Sequence, residues 1–269
     1  MAEFCPGYVV EPFRTLATNY PGEADFPQSD FRTEWGPIFH RGRLDGSARV
    51  LLIGQDPGQH ENVLRRILVG EAGRRVQGFL AKLGINRSYV NINALLYSVY
   101  GSGGSKYVKK PNVVAYRNQW IAGILGGGKV QAVVTFGGLA KDAWAAYTGA
   151  HGTPPGIAVA TLTHPTFPES AGGTAAQKKL NTKKMLTEWN AALPALFAAV
   201  THRDFATALA LYGDAFSDAD KADIPSFDLP AGTPGWMYDN DGWARRVGAT
   251  AAAKRADITI TVPKGVIAT

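Results

Sequence analysis

The amino-acid sequence predicts an α/β fold: a three-layer α/β/α sandwich around a central four-stranded parallel sheet. Four short apolar runs, which begin near residues 50, 89, 130 and 157, have the composition of strands that are buried on both faces. Segments with helical periodicity separate these runs. Strands that alternate with helices in this way form parallel sheets with helices on both faces.

The first two predicted strands flank an amphipathic helix. Residues 50–53 (VLLI) are apolar throughout and stop at Gly54, which predicts the first strand. The helix is predicted over residues 72–84, where one face carries apolar side chains at i, i+3, i+4 and i+7 and a glycine ends the pattern. The second strand is predicted within residues 88–97 (SYVNINALLY).

The second half of the chain repeats this alternation. It begins after residues 101–111 (GSGGSKYVKKP), which we expect to form a flexible basic loop. The later predicted elements are, in order, a helix over residues 111–125, a strand over 130–136, a helix over 138–147, a strand over 157–162, a loop over 163–173 and a helix over 175–196.

Three regions follow from this division. Residues 1–47 are aromatic and interrupted by Pro and Gly, and we interpret them as an N-terminal wrap. Residues 48–200 hold the predicted core. Residues 201–269 are less periodic and contain the strand-like DITITV, so we interpret them as a C-terminal extension packed on the core.

Composition excludes several classes of protein. The chain of 269 residues has one cysteine, Cys5, which excludes an intramolecular disulfide and a site built from cysteines alone. It contains no run of about 18 apolar residues, and its first residues lack the features of a secretory signal. We therefore expect a cytoplasmic monomer that makes no membrane contact.

The charge of the chain is uneven. Residues 1–200 hold 21 Lys and Arg against 13 Asp and Glu, whereas residues 201–269 hold 7 against 9. A basic core suits a polyanionic partner such as nucleic acid. Basic proteins that bind no nucleic acid are also common, so the charge alone decides nothing.

Three polar segments come after or near the ends of predicted strands, where ligands bind in such sheets. The first is GQDPGQH, residues 54–60, in which Asp56 projects from a tight turn. The second is Asn93, whose amide group can both donate to and accept from a uracil edge. The third is THPTFP, residues 163–168, which holds His164 and Phe167. Each segment taken alone is also explained by turn chemistry or local hydrogen bonding.

Together, GQDPG, NINAL and THPTFP resemble the motifs of the uracil-DNA glycosylase superfamily. The resemblance covers about residues 32–200, with matching order and spacing. EAGRRVQGFLAKLGI and VVTFGGLAKDAW also resemble a helix and a strand–helix unit of that family. The first motif combines features of the GQDPY and GEAPG branches, and the last has HPTF where HPSP is usual.

The resemblance implies a hydrolase that flips a base out of DNA and cuts its N-glycosidic bond, releasing free uracil. Asp56 would orient the attacking water and stabilise the cationic sugar, and His164 would donate a hydrogen bond to uracil O2. The implied uracil-binding residues are Gln55, Gly58, Leu68 and Asn93. The implied DNA-binding residues are Thr166, Phe167, Lys178 and Lys179. The resemblance implies no metal and no cofactor.

Two departures from the family bear on the substrate. Leu68 stands where the family usually stacks a Phe on the base, so Phe79 or Tyr97 is an alternative stacking partner. Gly58 stands where the GQDPY branch has the Tyr that excludes thymine. The GEAPG branches commonly carry four cysteines around an iron–sulfur cluster, which one cysteine does not allow.

Three other functions stay open at the level of sequence. A glycosylase for other modified pyrimidines is compatible with Gly58, which leaves room at C5. A catalytically weak protein that binds abasic or damaged DNA is a second alternative, although Asp56 beside a polyanion argues for an enzyme. An unrelated nucleotide-binding protein is disfavoured because the chain has neither the dinucleotide nor the P-loop glycine motif.

Overall fold

The computed structural model describes residues 7–100, 104–239 and 242–266, and its centre is a five-stranded sheet. The strands are β1 (His40–Gly42), β2 (Val50–Gly54), β3 (Tyr89–Asn93), β4 (Ala132–Phe136) and β5 (Ala158–Leu162). Their order is β1-β3-β2-β4-β5. The four parallel strands β2–β5 confirm the predicted fold class. The prediction missed β1, an antiparallel edge strand, because its sequence HRG has no apolar run.

Helices cover both faces of this sheet. They are α1 (Phe13–Thr18), α2 (Gln59–Leu64), α3 (Glu71–Lys82), α4 (Gly104–Tyr107), α5 (Pro111–Leu125), α6 (Gly138–His151), α7 (Phe167–Ser170), α8 (Ala175–Ala199) and α9 (Ala251–Ala256). The four long helices confirm the predicted ones. The short helices α4 and α7 lie in segments predicted as loops, and residues 101–103 of the predicted basic loop lie outside the described residues.

Successive residues of each strand point to opposite faces of the sheet, so their side chains contribute to two apolar layers. Leu51 and Ile53 of β2 face a layer formed with α1, α5 and α6. Val50 and Leu52 face the opposite layer, formed with α3 and α8. The sheet is therefore buried on both sides, as its apolar strands require, and its polar ends are left for a site.

The N-terminal segment is part of the folded core. Phe26 and Phe31 are buried and pack edge to face, with ring centroids 5.0 Å apart. The same segment supplies β1, which pairs with β3. The aromatic residues that suggested a wrap are thus anchors against the layer that holds α5.

The C-terminal segment packs on α2 and α3 and carries a second short sheet, β6 (Ala244–Arg245) with β7 (Thr259–Ile260). Asp228 is buried and forms ion pairs with Arg41 and Arg43, at 3.6 Å for the Arg41 pair. A buried carboxylate is stable only when it is paired and hydrogen-bonded in this way. The pairing fixes the segment to β1 at the edge of the sheet.

The contact between this segment and α3 predicts that replacing each of two glycines by alanine changes the stability of the protein in opposite directions. A methyl group at Gly78 of α3 would collide with the backbone carbonyl of Asp220, whereas one at Gly149 of α6 would meet open space. Gly78→Ala should therefore lower the free energy of unfolding by about 1–3 kcal/mol. Gly149→Ala, the matched control, should raise it by about 0.5–1 kcal/mol. Urea denaturation measures both, and equal effects would contradict the described packing on α3.

Candidate active site

The three polar segments meet at one edge of the sheet, because parallel strands end on the same side. Gly54 and Asn93 are directly opposite each other in the register of β2 and β3. His164 follows β5, two strands away from β2. The GQDPG loop lies beside the loop that follows β3.

The buried side chain of Glu61 holds the GQDPG loop in place. One carboxylate oxygen accepts a hydrogen bond from the Gly58 amide at 2.9 Å, and the other accepts from the Val69 amide at 3.1 Å. The two loops on either side of α2 are therefore joined through one carboxylate. We call this contact the Glu61 clamp. Sequence analysis missed it, although glutamate in the first turn of a helix is a known signal for such capping.

The loop after β3 orients Asp56. The Val99 amide donates to Asp56 Oδ2 at 3.2 Å. Next to it, Ser98 Oγ donates to the Pro57 carbonyl at 2.5 Å and accepts from Asn62 Nδ2 at 2.7 Å. The Asp56 carboxylate is therefore directed by rigid backbone on two sides, and it lies only partly buried.

His164 is held in one tautomer. Its Nδ1 accepts a hydrogen bond from the Thr166 amide at 3.3 Å, and an amide can only donate. The neutral ring therefore carries its proton on Nε2. Burial, with a smaller contribution from the positive charge of Arg75, lowers the pKa of His164 to about 4. The ring is a neutral donor at neutral pH.

Arg75 of α3 fixes the loop that carries His164. Its guanidinium donates to the Pro165 carbonyl at 2.6 Å and to both carboxylate oxygens of Glu169, at 3.0 and 2.8 Å. It also pairs with Glu71 at 2.7 Å. The helix pattern alone gave Arg75 no role, because the loop that it holds, at Pro165 and Glu169, is about 90 residues away in the chain.

A cavity of about 350 Å³ brings the predicted catalytic pair together. Asp56 and His164 line it from opposite loops. Gly58, Leu68 and Thr166 also line it, together with Gln59, His60, Glu61, Gly70, Glu71, Ala72 and Glu169. Leu68 adopts a positive φ of 55°. Five of the predicted site residues therefore share one cavity.

His164 also borders a second cavity, of about 480 Å³. Gln55 and Phe167, two other predicted site residues, line this cavity. Gln55 Oε1 accepts from the Leu139 amide at the start of α6, at 3.3 Å. Phe167 is 40% exposed at the start of α7. His164 thus separates two open spaces at the same edge of the sheet.

Asn93 lines neither of these two cavities. It lies opposite Gly54 in the pairing of β3 with β2. A methyl group at Gly54 would collide with Asn93 Oδ1 unless that side chain moved. Asn93 also borders a small space of about 20 Å³ on the side of α5. Its amide is close to the backbone that leads into Gln55 and Asp56, but it does not line the cavity those loops enclose.

The lysines of α8 face two different directions. Lys178 and Lys179 line a groove with Asp214, and Lys183 forms an ion pair with Asp214 at 2.8 Å. Lys184 lines the 480 Å³ cavity with His164. Of these four lysines, Lys184 therefore lies beside the site, whereas Lys178 and Lys179 line a separate groove.

Two further findings concern metal binding and membrane crossing in the described part of the chain. Across residues 7–100, 104–239 and 242–266, the structure forms no group of three His, Cys, Asp or Glu side chains that could hold a metal. In those same ranges, no helix has the length and apolar character needed to cross a membrane.

The fold and the site define an α/β protein with a polar pocket at the carboxyl edge of its parallel strands. The family model described as the uracil DNA glycosylase superfamily matches residues 41–195, more than half of the chain. The chain belongs to this superfamily, as its motifs predicted. Membership indicates a DNA glycosylase, a hydrolase of N-glycosyl bonds. No curated protein matches the chain.

The environment of His164 predicts an unusual titration. Its imidazole should titrate near pH 4, and Arg75→Met should move that midpoint upward because a nearby positive charge is removed. Since the pKa is lowered from about 6.5, the stability contributed by the neutral ring is complete above pH 6.5 and is lost as pH falls towards 4. NMR of the imidazole protons measures the midpoint, with His164→Gln identifying the signal. A midpoint near 6.5 would contradict the described burial.

Proposed function

We propose that the chain is a uracil-DNA glycosylase that acts in base excision repair. It would flip deoxyuridine out of DNA and hydrolyse the N-glycosidic bond, which leaves an abasic site and free uracil. The observation that carries this proposal is the shared cavity of Asp56 and His164, two groups of complementary chemistry on separate loops.

Asp56 would act on the sugar side of the bond. Glycosidic cleavage passes through a cationic, oxocarbenium-like sugar, which a nearby carboxylate stabilises. The same carboxylate would orient the water that attacks C1′. The hydrogen bond from the Val99 amide fixes the direction of this carboxylate.

His164 would act on the base side of the bond. Negative charge builds on uracil O2 as the bond breaks, and the Nε2 proton is a donor suited to it. Because the pKa of His164 is about 4, the ring is neutral at working pH and donates from Nε2 without carrying a positive charge. A preorganised donor of this kind is worth about 3–4 kcal/mol of barrier.

The remaining predicted residues would hold the base and the strand. Leu68 offers an apolar surface to the ring. The predicted pairing of the Asn93 amide with the O4 and N3–H edge would require the base to reach beyond the lining of this cavity, which Asn93 does not form. Thr166 and Phe167 would contact the DNA strand. Because Gly58 presents no side chain to C5, other modified pyrimidines are a second substrate class to test.

Uracil release is the direct test of this function. Wild-type protein should convert a uracil-containing oligonucleotide to an alkali-labile strand, and Asp56→Asn should slow single-turnover release by at least about a hundredfold while DNA binding persists. His164→Ala should slow release by roughly 10²–10³. Release by the wild type but unchanged rates in both variants would reject these roles. Binding without release would instead support the damaged-DNA-binding alternative.

The two faces of α8 predict unequal roles for its lysines in DNA binding. Lys184→Gln should weaken binding and lower the salt dependence, because each phosphate contact contributes about −0.9 to the slope of log K against log salt. The double variant of Lys178 and Lys179 to Gln serves as the control and should change the slope less. Fluorescence anisotropy over a range of salt gives both slopes, and the opposite ranking would restore the pair named from the sequence.

A further inference from the structure

An aromatic surface outside the two cavities adjoins the loop after β3, whose Val99 amide contacts Asp56. It consists of Arg32, Trp35 and Tyr100, and we call it the aromatic shelf. The Arg32 guanidinium lies 5.7 Å from the centroid of the Trp35 ring and 5.6 Å from that of Tyr100. Arg32 is buried, whereas Trp35 is 44% exposed. One large ring is therefore held on a fixed cation and open to solvent.

The shelf is connected to the candidate site by hydrogen bonds on two sides. Tyr100 follows Val99, whose amide donates to Asp56. The Arg32 amide donates to the Ser98 carbonyl at 3.0 Å, and Ser98 in turn binds the GQDPG loop. Through these contacts the shelf keeps a fixed distance from the reacting groups.

The turn that carries Trp35 is fixed in the same way. The Gly36 amide donates to the Thr33 carbonyl at 2.9 Å and closes the turn. Arg65, at the end of α2, donates to the carbonyls of Gly36 and Pro37 at 2.7 and 2.9 Å. Because α2 also carries the Glu61 clamp, a ligand stacked on Trp35 would be positioned relative to the cavity.

We propose that Trp35 is a stacking subsite for an unpaired DNA base next to the flipped nucleotide. This inference rests on the proposed function, because it states which form of DNA, single-stranded or duplex, the same site prefers. An exposed aromatic face stacks any base regardless of sequence, and the basic charge of residues 1–200 favours the DNA strand. Bases in a duplex are already stacked on their neighbours, so the subsite favours single-stranded DNA.

The test compares DNA affinity in two strand forms. Trp35→Leu should weaken binding of a uracil-containing single strand by about 5- to 100-fold, which is the cost of losing one stacked base. The loss on the matching duplex should be clearly smaller. Trp35→Phe keeps a ring and should retain most of the affinity. Thermal unfolding of each variant verifies that the fold is intact.

Phe205→Ala is the matched control. Phe205 is 38% exposed, similar to Trp35. It adjoins Gly84 and the residues that precede β3, at the end of the parallel strands opposite the candidate site. This variant should bind both strand forms like the wild type. Equal losses in Trp35→Leu and Phe205→Ala, or equal losses on single strand and duplex, would overturn the inference.

A second measurement uses the unaltered chain. A single strand with 5-iododeoxycytidine on either side of the uracil should cross-link on irradiation to Trp35 or Tyr100, as located by mass spectrometry. Cross-links found only elsewhere would reject the subsite. The two proposals can fail separately. If the wild type releases no uracil but Trp35→Leu still weakens binding to the single strand more than to the duplex, only the glycosylase proposal is rejected. If the wild type releases uracil but Trp35→Leu leaves both affinities unchanged, only the subsite is rejected.

Discussion

The arrangement of this site depends on one buried carboxylate. Glu61 accepts hydrogen bonds from the amides of Gly58 and Val69, which belong to loops on opposite sides of α2. Without it, the buried Val69 amide would lose its acceptor, at about 1–3 kcal/mol, and the half-buried Gly58 amide would lose its acceptor as well. Asp56 and Gly58 lie on one of these loops and Leu68 on the other, so the width of the cavity is set by this clamp.

The rest of the structure supports the clamp from outside the site. Arg41 of β1 donates to the Ile67 carbonyl at 2.7 Å and pairs with Asp228 of the C-terminal segment. On the other wall, Arg75 of α3 holds the loop of His164 and lowers the pKa of that ring. Burial and this charge together keep the histidine neutral, so that it donates without a positive charge.

The sequence predicted the sheet well because its strands are buried on both faces and therefore apolar throughout. It did not predict the role of Glu61, whose partners are backbone amides, or that of Arg75, which holds the Pro165 carbonyl and the Glu169 carboxylate, because folding alone brings these groups together. The lysines of α8 show a related limit of prediction from sequence. Helical spacing places Lys184 and Lys179 on different faces of the helix, but only the packing of the helix decides which face lies beside His164. Asn93 was predicted from its place at the end of β3, yet the structure places it beside Gly54 and outside the main cavity.

The central claim is that Asp56 and His164 act on one nucleotide from two sides. A crystal structure with a single strand that contains 2′-fluoro-2′-deoxyuridine, whose glycosidic bond resists hydrolysis, tests it most directly. The account predicts uracil O2 within hydrogen-bond distance of His164 Nε2, with the sugar C1′ beside the Asp56 carboxylate. A uracil bound in the cavity of Lys184, with its sugar remote from Asp56, would contradict the account.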